Sequence, residues 1–148
     1  MATVTTDEHG MARMGWQVFH AAIPAVAAAD ATIVIPLMAM PFNCELGEVS
    51  LICSTLVTGN TTNTKNLNLI DGGAEGAGTA ELANRDLITG TNLAAGKTML
   101  FDNIIAAALE IFMSQGDMLE LQVELVGTGV AVGPLVARIV IRPANLTS

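Results

Sequence analysis

Tyrosine is absent from this chain of 148 residues, tryptophan occurs once and phenylalanine four times. Sugar-binding sandwiches stack their ligands on aromatic platforms, so a lectin is disfavoured. Cations are also scarce: six Lys and Arg face fourteen Asp and Glu, a net charge of −8, with no basic cluster. Gripping nucleic acid takes several cations along one face, so no nucleic-acid partner is expected. The two histidines, His9 and His20, and the two cysteines stand apart from one another, and no zinc-like spacing occurs. Carboxylates clustered at the short intervals of a calcium loop are missing too. No metal or cofactor is therefore expected. No apolar run is long enough to span a bilayer, and no membrane association is expected. The opening MATVTTDEHGMARMGW is polar and acidic, unlike a secretory signal.

Cys44 and Cys53 lie nine residues apart on one extended stretch, which holds their thiols far from each other. Both read as reduced, small apolar residues, in keeping with synthesis in a cytosol. Catalytic signatures are lacking. Gly96-Lys97-Thr98 ends like a phosphate-cradling loop, but its first glycine is displaced and a strand follows where a helix is needed. Gly76-Ala77-Gly78 and Gly127-Thr128-Gly129 lack the third glycine of a dinucleotide loop and read as turns. No G-x-S-x-G elbow is present. Glu120 and Glu124 alternate with apolar residues, which reads as a solvated strand face with Arg138 and Arg142 as cross-strand partners. A non-enzymatic protein is expected.

What the chain has in quantity is apolar sequence. Apolar residues make up 51% and charged ones 14%, against about 25% charged in ordinary domains. The shortage is local: residues 14–29, 49–64 and 125–137 carry no charged side chain. One domain of this size buries roughly 70% of its unfolded surface and folds without a metal or disulfide. A lone subunit has difficulty keeping this much apolar sequence from water, so other subunits are expected to cover part of it.

The pattern along the chain is one of strands. Residues 1–15 read as an N-terminal arm, in which Met11, Arg13 and Met14, with Trp16 just beyond, are candidates for contact with a neighbour. Residues 16–148 read as one domain. Strands are expected from Trp16 to Ala22, through ATIVIPLM, and along FNCELGEVSLICSTLVTG, where Gly47 marks a bulge. KNLNLIDGG, TAELANRDLIT and KTMLF follow, with Ala80, Leu82 and Asn84 sharing a face. DNIIAAALEIFMSQGD suggests one short helix over 102–113, capped by Asp102 and closed by Gly116. DMLELQVELV and PLVARIVIRP alternate as two further strands. Eight or nine short strands, separated by Gly-, Asn- and Thr-rich turns, indicate an all-β antiparallel sandwich or barrel; a jelly roll of about eight strands fits the count.

Taken together, IPLMAMPFNCELGEVSLIC, TKNLNLIDGGAEGAGTAEL, LAAGKTMLF, QGDMLELQVELVGTG and PLVARIVIRP resemble the jelly-roll head decoration, or cement, proteins of tailed bacteriophages. The likeness covers roughly residues 20–143 and rests on turns and strands. The Ala-rich segment at 102–113 departs from it. The resemblance implies a homotrimer on the outer surface of a virion, clamping neighbouring major capsid protein subunits, with the arm reaching toward a neighbour. It implies no catalytic residues. A minor capsid spike protein, or a virion-surface carbohydrate- or receptor-binding module, is the alternative.

Overall fold

The computed structural model describes residues 15–101, 103–104 and 111–144. They form ten strands: β1 (Gln17–Ile23), β2 (Ile33–Ala39), β3 (Cys44–Cys53), β4 (Thr64–Asp71), β5 (Ala80–Asp86), β6 (Thr98–Leu100), β7 (Asn103–Ile104), β8 (Ile111–Met113), β9 (Met118–Val126) and β10 (Leu135–Pro143). No helix occurs among the described residues. The fold is all-β, an antiparallel sandwich. One sheet runs β1-β10-β3-β6, with β8 also on β3, and the other runs β2-β9-β4-β5-β7.

The pairing is nested. β1 pairs with β10, β2 with β9, β3 with β6 and β8, and β4 with β5, all antiparallel. β6 and β8 lie end to end along β3, opposite Ser50–Ile52 and Cys44–Leu46 respectively. Between them the chain crosses over to place β7 beside β5. The helix expected over 102–113 is corrected at both ends, since Asn103–Ile104 and Ile111–Met113 are strands; residues 105–110 lie outside the described residues. The outer edges of β3 and β5 offer unpaired backbone N–H and C=O groups, and pairing with them orders 111–113 and 103–104 as strands.

Side chains alternate as the sequence pattern demands. Phe19, Ala21 and Ile23 face inward against Ile139, Ala137 and Leu135, which are at most 2% exposed. From the other sheet come Leu67, Leu69, Leu119, Leu121 and Val123. Each fully buried Leu or Val contributes about 1.5–3 kcal/mol. In β3 the inward set changes phase, from Cys44 and Leu46 to Val49, Leu51 and Cys53. The register jumps at this point from Glu48 to Leu46 and leaves Gly47 as the extra residue. A second bulge, in β5, leaves Leu82 between Glu81 and Ala83. Leu82 and Ala83 are both buried as a result, so the regular face shared by Ala80, Leu82 and Asn84 does not form.

Lys65 follows the same alternation inward, on the face of Leu67 and Leu69. It has no exposed surface, and its Nζ donates a hydrogen bond to the Asp30 carbonyl.

Candidate functional site

Among the described residues no three His, Cys, Asp or Glu side chains converge, and the candidate site is a surface. It begins at Trp16, just before β1. Met11, Arg13 and Met14 lie outside the described residues. Trp16 lies against the bulge of β3: a Cβ on Gly47 would fall 2.4 Å from its Cζ3, so only glycine leaves room for the ring. The Arg142 guanidinium sits 4.6 Å from the centroid of the indole. Arg142 in turn donates to Glu45 Oε2 from Nε at 2.6 Å. The residue before β1 thus joins β10 and β3 in one cluster, with Trp16 held at 47% exposure. The bulge that Gly47 signals in the sequence also makes the seat for the indole, and nothing in the strand pattern signals this second role.

From Trp16 the surface continues along one flank of the sandwich. β1 is an edge of the first sheet and β2 an edge of the second, and the two approach each other across the open side. Their sequences, QVFHAAI and IVIPLMA, carry no charged side chain. Val18, Ile33 and Val34 are 44–45% exposed. Ile33 pairs with Val123 and so faces the interior, yet the open flank leaves it uncovered. In the corner between the strands, Pro24, Ala25, Ala27, Ala29 and Ala31 are exposed as well. Asp30, the one charge there, accepts a hydrogen bond from the Ala27 amide at 2.8 Å.

Natural sheets guard their edges with lysines, prolines, bulges or very short strands. On the opposite side of this sandwich β6, β7 and β8 are short, at two or three residues each. On the β1–β2 flank the strands run seven residues each, and among the described residues Pro36 with the bulge at Leu37 is their only guard.

Charge lies instead on the inner strands. On the first sheet Arg138 pairs with Glu48 at 3.1 Å and Arg142 with Glu45, so this face balances itself. On the second sheet Glu120, Glu124, Glu81 and Asp86 share an outer face with Asn66, Asn68 and Asn84. Asn68 Nδ2 donates to Gln122 Oε1 at 2.8 Å and Glu124 Oε2 at 3.2 Å. The expected partnership of Glu120 and Glu124 with Arg138 and Arg142 is thereby corrected. β9 and β10 are consecutive in sequence but belong to opposite sheets, so the arginines find β3 carboxylates. Nor is Glu120 solvated: it is 5% exposed, its carboxylate lying where Cβ atoms on Gly72 and Gly76 would otherwise be.

The thiols are sealed. Cys44 and Cys53 are free and buried, and Cys44 Sγ lies 3.3 Å from Met40 Sδ. Burial, reinforced by the Asp117 charge and opposed by a Met113 backbone hydrogen bond, pushes the Cys44 thiol up to about 11. Burial raises Cys53 as well. Neither is poised as a nucleophile. Among the described residues no three His, Cys, Asp or Glu side chains converge as metal ligands would. The chain matches no protein-family model and no curated protein.

Proposed function

We propose that the protein is a structural component of a phage virion: a homotrimeric jelly-roll decoration protein, without enzymatic activity. It binds the outer surface of the capsid and clamps neighbouring major capsid protein subunits. The observation that carries this reading is the uncharged flank. Two full-length edge strands without charge belong to a subunit that works in an assembly. The nested pairing of β1 with β10, β2 with β9, β3 with β6 and β8, and β4 with β5 supports the jelly roll. Dispersed cations on a chain of charge −8 favour a protein partner over nucleic acid. Clamping works by mass action: binding only the assembled shell lowers the free energy of that state. Three linked contacts per trimer turn weak single contacts into firm attachment.

Light scattering on the purified protein tests the oligomer. A native mass near 46 kDa, three times 15.3 kDa, is expected. A pelleting assay with expanded phage heads then tests attachment. A strict monomer of 15.3 kDa that does not pellet with heads would sink the reading. Glycan binding lost on Trp16→Ala would turn it toward a virion-surface binding module.

A further inference from the structure

We infer that the subunits of the oligomer meet flank to flank, the β1 edge of one copy lying against the β2 edge of the next. This rests on the trimeric reading and specifies its interface. Copies of a chain carrying −8 repel one another wherever their carboxylates face. The outer face of the second sheet, with Glu81, Asp86, Glu120 and Glu124, is therefore unsuited to self-contact. β1 and β2 hold no charge and the corner between them holds only Asp30, so a second copy can approach them at little electrostatic cost.

The flank has two unlike rims. Val18 pairs with Val140, between the inward Ile139 and Ile141, so it projects on the outer side of the first sheet. Val34 pairs with Gln122, between the inward Leu121 and Val123, so it projects on the outer side of the second sheet. Ile33 lies between the rims. Twofold self-pairing of β1 would cover Val18 and leave Ile33 and Val34 in water. A heterologous contact, β1 rim to β2 rim, covers both with one interface, and where it turns each copy by a third of a circle it closes into the trimeric ring. Pro36 lacks an N–H, and the bulge at Leu37 breaks the register, so side chains rather than a shared ladder make this contact.

Charge substitutions on the full-length protein test the geometry, with native mass as readout and circular dichroism to verify folding. Both valines are 45% exposed, so the fold tolerates the changes. Val18→Glu and Val34→Glu are each expected to bring the mass from about 46 kDa to 15.3 kDa. Val18→Glu combined with Val34→Lys is expected to restore it, since the new charges meet only across a β1-to-β2 contact. Phe112→Glu, on the far edge of the first sheet, is expected to leave the mass unchanged. Both single variants remaining trimeric would overturn the flank contact while leaving the trimer intact. Dissociation by both, without rescue in the pair, would overturn the head-to-tail arrangement. A wild-type monomer would instead remove the trimeric reading itself.

Discussion

Replacing Lys65 with methionine is expected to leave the fold as stable as before or to strengthen it. Lys65 has no exposed surface. Its Nζ reaches the Asp30 carbonyl, and among the described residues no carboxylate pairs with it. Taking an ammonium group out of water costs several kcal/mol even after relaxation. A hydrogen bond from a charged donor offsets about 1.5–3 kcal/mol of that. Methionine keeps most of the apolar stem, so the volume stays filled. Asp30 is exposed, and its carbonyl can turn to water for a donor. The balance favours methionine by about 1–3 kcal/mol, or roughly 4 °C in Tm for each kcal/mol. Urea unfolding at fixed protein concentration measures it, with the slope compared between variants. Lys65→Ala provides the contrast: it removes the stem as well and should cost about 2–4 kcal/mol through the cavity. A loss above about 1 kcal/mol for Lys65→Met at unchanged slope would refute the reasoning. The buried amine would then be a net contributor to stability.

Three further outcomes follow from the contacts around the glycines and thiols. Gly47→Ala should lift the indole from its seat, shift the emission of the single tryptophan to the red and forfeit a cation–π contact of about 0.5–1 kcal/mol; unchanged emission would contradict the packing. Gly72→Ala places a Cβ 2.7 Å from Glu120 Cδ and should cost about 1–3 kcal/mol, most of it recovered by Glu120→Ala in the same chain. Strict additivity of the two would show that they do not touch. The Cys44 thiol is raised in the fold from 9.0 to about 11, so its contribution is complete below pH 9 and is lost as the pH rises through 11. At 1.36 kcal/mol per unit this amounts to roughly 2–3 kcal/mol, and Cys44→Ala should flatten that part of the stability profile.

The local pattern reveals which segments are strands and little of how they pair. Alternation through β9 and β10, the bulge at Gly47 and the turn at Gly127 are all legible, because each depends on neighbours within a few residues. The salt bridges are not. Arg138 finds Glu48 across ninety positions of sequence, through a pairing that only the completed sheet specifies. The same limit hid the strands within 102–113, where short edge pieces borrow their order from β3 and β5. Lys65 was readable in principle, since it shares the parity of Leu67 and Leu69, but a lysine beside a polar loop is ordinarily solvated. Of the surface, the uncharged run 14–29 was visible as composition. That Gln17–Ile23 within it forms one rim of an open flank, with β2 as the other, required the topology.

The nested order has a consequence for how the chain acquires its structure. β10 lies between β1 and β3 and contacts both along its length, so the first sheet is held together by a segment synthesised after the other nine described strands. A nascent chain lacking residues 135–143 leaves β1 without a partner and β3 open on one side. β1 must therefore wait, unpaired and uncharged, until residues 135–143 have been synthesised. Loop closure over such separations is slow, and all-β chains of this type fold in milliseconds to seconds. During that interval QVFHAAI is exposed as an aggregation-prone segment, and the yield of soluble protein is set by the race between closing this sheet and encountering another unfinished chain.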